Sequence, residues 1–386
     1  MAKDIENIFN KYQELVNSIF DVGHINIKHY KESNNVIGAL ADEQFQTFTE
    51  NFTARLIRLK DKFKNKNNKK VIYDTIAMIA DPYNWEGAYA ELVAYDVLMN
   101  DYIGCEPQLN KTLSASFSLA CEMSNRKHTN YDLYLRDYGL YMDVKAWTDP
   151  THDILYKSVI EKAIKDAKVH CNILAQYELD SDSTPYEPLV SKLREELSMF
   201  LKEEQSKESK SKFFGSKVVK GLSYRVLWQT GINSAFYETS PFHKAEELKD
   251  VVIRRYFDKF PQKKSFWLVF VNFPWYNQRD KKAIDSNEYF YRSLARRTFM
   301  QYRYSKLKAK EIIPKYKGTK SAYNVSQRLA GIIFIDDLSI LENKQDVYVY
   351  FNPNAKYPCH IARTYLEDLV PMKCDGLYDD FAHDNY

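Results

Sequence analysis

The segment Gly139-Leu140-Tyr141-Met142-Asp143-Val144-Lys145-Ala146-Trp147 decides how this chain is read. Apolar residues surround one acid and one base, the composition of a strand buried in a sheet. Side chains alternate along a strand, so Asp143 and Lys145 share a face while Val144 points the other way. A carboxylate and an ammonium are costly there unless they face each other, a metal or a polar cleft. Just upstream, Asn130-Tyr131-Asp132-Leu133-Tyr134-Leu135 is a second strand-like run, again carrying an acid. Arg136-Asp137-Tyr138-Gly139 lies between them as a turn, and a hairpin is expected over 131–147. Folding it brings Asp132 near Asp143 and Lys145. Two acids and a lysine at one point are the parts of divalent-metal phosphodiester chemistry. A plain same-face ion pair with Asp132 opposite it is open to the same residues.

Outward from the hairpin, residues 3–20 and 43–66 read as amphipathic helices, with a short strand at Ile25-Asn26-Ile27-Lys28 between them. After the break at Asp81-Pro82, a helix is expected from about Asn84 to Asn100. Residues 105–120 read as a strand. Downstream of Pro150, apolar residues recur at helical spacing (Ile154, Val159, Ile160, Ala163, Ile164, Ala167, Ile173, Leu174), so 154–177 is expected to be one long helix. Residues 180–185 read as a loop and 187–205 as a helix. Strands are expected at 222–228, 265–272, 331–335 and 347–351, with a basic helix at 287–308. Ser265-Phe266-Trp267-Leu268-Val269-Phe270-Val271-Asn272 is apolar almost throughout and suits the centre of a sheet. Strands separated by helices point to an α/β fold, a central mixed β-sheet flanked by helices, with added N-terminal helices and a helical insertion. The division expected is an N-terminal helical region 1–80, a first half of the core with the hairpin at 81–180, an insertion at 181–262, and a second half at 263–386.

The chain has 386 residues, 45% hydrophobic and 28% charged, enough for two domains or for one core with large insertions. No apolar stretch is long enough to span a bilayer, and the first residues lack the apolar core of a signal peptide, so a cytoplasmic location is expected. The five cysteines contain no Cys-x-x-Cys pair, which argues against a disulfide framework or zinc ribbon. Lys317-Gly318-Thr319-Lys320-Ser321 lacks the earlier glycine of a phosphate-binding loop, and no dinucleotide-binding fingerprint or His-Glu-x-x-His helix is present. Net charge is only +3, yet basic residues cluster in three runs: Arg55 to Lys70, Lys207 to Lys220, and Arg292 to Lys317. Such runs are usually solvated faces. Three of them beside a candidate metal site are also what a phosphate-backbone track would show.

One further acid completes the set. In Trp85-Glu86-Gly87-Ala88-Tyr89-Ala90-Glu91-Leu92-Val93-Ala94-Tyr95-Asp96, Glu91 borders the stripe of Ala88, Leu92 and Tyr95 that can pack on a sheet. Glu86 and Asp96 compete with it, and the neighbours Ala90 and Leu92 favour Glu91. A helix with Ala-Glu-Leu, a strand acid, an Asp-x-Lys strand and a following helix, in that order, resemble the PD-(D/E)XK nuclease superfamily. The resemblance directly covers about a quarter of the chain. Tyr131 stands where the proline that names the motif would be.

That resemblance implies a restriction endonuclease-like core and a metal-dependent nuclease, most directly on double-stranded DNA, of restriction or phage-defence type. It implies that Glu91, Asp132 and Asp143, with the Val144 carbonyl, hold one or two Mg²⁺ or Mn²⁺ ions through hard oxygen ligands. Lys145 would hold the attacking water and offset charge developing at the phosphate. Lys157 and Lys165 are weaker candidates for phosphate contact. Symmetric cutting of a duplex implies a homodimer, and a defence system implies a partner subunit. The alternative kept beside it is a catalytically inactive, nuclease-like nucleic-acid-binding subunit of a larger complex.

Overall fold

In a computed structural model the chain is described at residues 2–21, 23–63, 65–99, 105–112, 128–147, 154–177, 189–204, 211–219, 222–228, 241–261, 263–273, 281–358, 376–379 and 381. It divides into two compact units, Met1–Trp147 with Pro241–Tyr386, and Thr148–Ser240.

The first unit opens with helices at Ala2–Ile19, Asn35–Ala41, Gln46–Lys62, Lys66–Met78 and Trp85–Leu98. The stretch expected as a strand at Ile25–Lys28 is extended but pairs with nothing in a sheet. Its two isoleucines are buried, and the Ile27 amide donates to Gln13. Alternating burial was legible there and a ladder partner was not. Three strands follow: β1 (Cys105–Thr112), β2 (His128–Leu135) and β3 (Leu140–Trp147), each antiparallel to the next. The turn between β2 and β3 is a 3₁₀ turn closed by Gly139 at φ 60°, a left-handed conformation that glycine adopts without Cβ strain.

The second unit contains a π-helical turn at Ile154–Ile160, a helix at Glu161–Ala167 and then β4 (Asn172–Tyr177). The single long helix expected over 154–177 is therefore broken. Lys168 is left-handed at φ 56°, which ends the helix, and the chain resumes as strand at Asn172–Tyr177, taking Ile173 and Leu174 with it. A helix at Val190–Glu204 precedes β5 (Ser211–Gly215) and β6 (Leu222–Leu227), which complete an antiparallel sheet in the order β4-β6-β5. Leu155, Val159, Leu193, Leu197, Tyr224 and Val226 belong to a core of its own. The inserted unit thus spans 148–240 rather than 181–262, because the segment expected to cover the main sheet packs against its own short one.

The chain re-enters the first unit through helices at Pro241–Leu248 and Val251–Tyr256, then forms β7 (Ser265–Asn272). A helix at Lys281–Met300 leads to β8 (Gly331–Asp337), β9 (Gln345–Phe351) and β10 (Gly376–Asp379). The sheet has seven strands in the order β1-β2-β3-β7-β8-β9-β10 and is mixed: β3, β7 and β8 run parallel, while β9 is antiparallel to β8. Every residue of β7 is buried, as its apolar composition requires. One face of the sheet, with Met142, Val144, Val269 and Ile333, packs on the N-terminal helices. The other, with Tyr141, Leu268, Phe270 and Phe334, packs on the helices after residue 240.

Gly331 sits opposite Trp267 in the β7–β8 register, and a Cβ there would stand 2.2 Å from the Trp267 ring. Trp267 is rigidly enclosed, so Gly331→Ala is expected to cost about 1–3 kcal/mol by overpacking. A urea titration followed by tryptophan fluorescence reads that loss; an unchanged midpoint would show that the ring has room to move.

Candidate active site

The hairpin delivers its charges to one point. Asp143 is completely buried on β3, and its Oδ2 lies 2.7 Å from Lys145 Nζ. Lys145, 30% exposed, stands 3.7 Å from Asp132 Oδ2 as well. Residues 143 and 145 share a face, as strand alternation demands, and Tyr141 on that face belongs to the core beyond residue 240.

Asp132 is placed by a break in β2. Tyr131 belongs to the core on one side of the sheet and Leu133 to the core on the other, so the alternation fails at Asp132. The paired register of β2 with β3 runs from Leu135↔Leu140 to Leu133↔Met142. One residue further, the Asp132 carboxylate takes the Val144 amide at 2.6 Å. Val144, expected to offer its carbonyl, is tied to the site through its N–H. Tyr131 fills the position of the missing proline by burying its ring against Tyr141 and Phe266 and donating its hydroxyl to the Lys259 carbonyl at 2.9 Å.

Glu91 comes from the opposite layer, on the helix Trp85–Leu98. The Tyr95 hydroxyl lies between its Oε2, at 3.3 Å, and the Asp132 carbonyl, at 3.1 Å. Because Asp132 sits where the strand changes faces, it feels Glu91 from one side and Lys145 from the other. Burial pushes the Asp132 carboxyl well above the usual carboxylate range. The charges of Asp143 and Glu91 push it further, against the pull of Lys145 and the Val144 amide. Burial draws the Lys145 ammonium down, and Asp143 with Asp132 more than reverses this, holding it above the ordinary lysine range.

Two residues were not anticipated. Lys259 Nζ lies 3.1 Å from Asp143 Oδ1, and it donates to the Asn130 carbonyl at 2.6 Å. Tyr256 sets its ring 6.0 Å from Lys145 Nζ, within cation–π range. Both fall in a stretch that the sequence reading assigned to an insertion; the basic run from Arg254 to Lys264 was the available signal.

The set resembles a cation-binding site in one respect and differs in another. Neither Asp143 oxygen has a partner in hydrogen-bonding geometry, although the residue is fully buried, and Asp132 is destabilised by two neighbouring acids. Both carboxylates have ammonium neighbours, Asp143 two and Asp132 one, and neighbouring acids of this kind are also drawn to a divalent cation. Among the described residues, however, no three or more His, Cys, Asp or Glu stand ready as a metal cage. Asp132 and Asp143 are the pair that would hold an ion, with Glu91 in electrostatic reach of Asp132. Lys157 and Lys165 belong to the unit 148–240.

The basic runs separate on inspection. Arg55 is buried against Asp96 and Asp337, Arg58 pairs with Asp96, and Lys60 and Lys62 bond backbone carbonyls. That part of the first run is internal scaffolding and leaves the expected phosphate track. In the third, Arg303, Lys306, Lys308, Lys310, Lys315 and Lys317 are exposed.

The raised pKa of Asp132 makes stability depend on pH. Above the ordinary carboxylate pKa the unfolded Asp132 has lost its proton while the folded one keeps it. Relative stability therefore falls as pH rises, until the raised folded pKa is passed. Metal-free Asp132→Asn, which keeps an acceptor for Val144, is expected to gain about 0.5–2 kcal/mol at neutral pH. Urea denaturation of both proteins with chelator checks this; a destabilised variant would mean that the Asp132 charge is fully compensated.

No helix among the described residues is long and apolar enough to cross a membrane. Comparison with protein-family models, with curated proteins and with solved structures finds no match to this chain.

Proposed function

We propose that the protein is a metal-dependent nuclease, hydrolysing phosphodiester bonds at Asp132, Asp143 and Lys145, with duplex DNA as the leading substrate and Glu91 supporting Asp132. The observation that carries the reading is the meeting of a fully buried acid, a partly buried one and a lysine on a bent hairpin. The helix with Glu91, the strand acid and the Asp-x-Lys strand also stand in the order that the PD-(D/E)XK resemblance implies, on a mixed sheet flanked by helices.

Charge distribution supports a polyanionic substrate. The sequence from 241 to 330 holds 21 Lys and Arg against 8 Asp and Glu, whereas residues 2–99 hold 12 against 14. Asp143 and Lys145 lie on the face covered by the basic segment. A phosphate backbone is drawn to such a layer, and its binding weakens steeply with salt.

Within the site each residue has a definite task. Asp132 and Asp143 would hold Mg²⁺ or Mn²⁺. Bound there, the ion supplies Lewis-acid polarisation of the phosphate and a lowered pKa for the attacking water. Burial first, and then the charges of Asp143 and Glu91, favour the protonated Asp132, so a cation held there would have to favour its ionised form. Lys145 holds a point charge where negative charge develops, and Asp143 orients it. The Val144 amide fixes the Asp132 carboxylate in place. A restriction or phage-defence role is the biological setting proposed for this chemistry.

The second reading is a nucleic-acid-binding subunit without turnover, favoured by the absence of a three-acid cage among the described residues. One experiment separates the two. The full chain is incubated with plasmid, single-stranded DNA and RNA, each with Mg²⁺, Mn²⁺ or chelator. Cleavage that needs the cation supports hydrolysis. Salt-sensitive binding without cleavage supports the subunit.

A further inference from the structure

Resting on that reading, we infer that Lys259 does the work of a second cation, so that the site takes a single divalent ion. Asp143 offers two carboxylate oxygens, and each faces a different ammonium: Oδ2 faces Lys145 at 2.7 Å and Oδ1 faces Lys259 at 3.1 Å.

The two lysines are held differently. Lys145 has Asp143, Asp132 and the Tyr256 ring as its partners among the described residues, all of them side chains and none of them backbone. Lys259 is pinned at both ends of the residue. Its Nζ donates to the Asn130 carbonyl at 2.6 Å, and its own carbonyl accepts the Tyr131 hydroxyl at 2.9 Å. Both ties are to the two residues just before Asp132 on β2, so Lys259 is fastened to the strand that carries the second acid. Lys145 is thus the ammonium that would make way at Oδ2 for a divalent ion, and Lys259 the one that would stay on Oδ1.

Charge counting agrees. Glu91, Asp132 and Asp143 against Lys145 and Lys259 leave one negative charge when all are ionised. One divalent ion brings the site to a single positive charge, which matches one phosphodiester. A second ion would leave three positive charges in a largely buried place, at a steep electrostatic cost. Without Lys259 the residues carry two negative charges and Oδ1 is free, which suits two ions. Lys259 is thus a positioning residue: it acts on the reaction through Asp143 and through ion count.

Isothermal calorimetry with Mn²⁺ on the full chain tests this. The parent is expected to take up one ion and Lys259→Met two, with the first binding roughly tenfold tighter once a competing charge is gone. Lys259→Arg should still take up one. Lys259→Gln serves as a second neutral variant, and circular dichroism melts identify the folded proteins. Two ions in the parent, or one ion at unchanged affinity in both neutral variants, would overturn the inference while leaving the nuclease reading in place. No Mn²⁺ uptake by the parent would overturn both.

Discussion

Asp143→Asn and Lys145→Met should each lower the rate of cation-dependent cleavage by roughly 10²–10³-fold or more, the usual cost of removing one preorganised electrostatic partner. Both losses are chemical, yet the two variants should differ in stability. Asp143→Asn leaves two ammonium groups that are 30% and 24% exposed and can turn to water. Lys145→Met leaves a fully buried carboxylate facing Lys259 alone, so it is expected to be the less stable of the pair. Initial rates on plasmid, with thermal melts of the same samples, measure both effects. Parental rates in either folded variant would remove the hairpin from the chemistry.

The largest loss of stability is expected at Arg55. Its guanidinium is 1% exposed and reaches Asp337 at 3.2 and 3.3 Å, Asp96 at 3.3 Å and the Tyr89 hydroxyl at 3.1 Å. Tyr89 in turn donates to Asp337 at 2.5 Å, and the Ser339 amide donates to the same carboxylate. The cluster joins the helix Gln46–Lys62, the helix carrying Glu91 and the end of β8. Arg55→Met strands the Asp337 charge in the core and is expected to cost about 3–5 kcal/mol. Arg55→Met with Asp337→Asn should recover much of this, because a matched neutral pair no longer buries a lone charge. Urea midpoints of the parent, single and double variants decide the matter. An Arg55→Met midpoint equal to the parental one would show that Asp337 is satisfied without it.

Arg55 also shows where sequence reading stops. It stands in a run of lysines and arginines, and composition alone cannot separate a cation facing water from one clamped inside by acids 41 and 282 residues away. Lys259 is the converse case. The basic run around it, Arg254 to Lys264, does not single it out, and its place comes from the chain returning beside β2 and β3. The hairpin was legible because its causes are local: a glycine with positive φ, alternating apolar residues, and charges two apart on one strand. β7 was legible for the same kind of reason, a continuous apolar run that only a central strand can bury. The break of 154–177 into helix and strand was not, since apolar residues spaced for a helix also suit a short sheet once a partner strand, β6, lies alongside. Glu91, expected to lean toward the hairpin acids, stands within electrostatic reach of Asp132. Its arrival from the other face depended on the bend at Asp132, which no pattern of spacing reveals.

The central claim is that Asp132 and Asp143 jointly hold a divalent ion beside Lys145. An anomalous difference map from crystals soaked in Mn²⁺ tests it most directly. The account predicts a peak bonded to both carboxylates, with Lys145 withdrawn from Asp143 and Lys259 still on its other oxygen. A map with no peak there, and the Asp143–Lys145 pair intact, would contradict it.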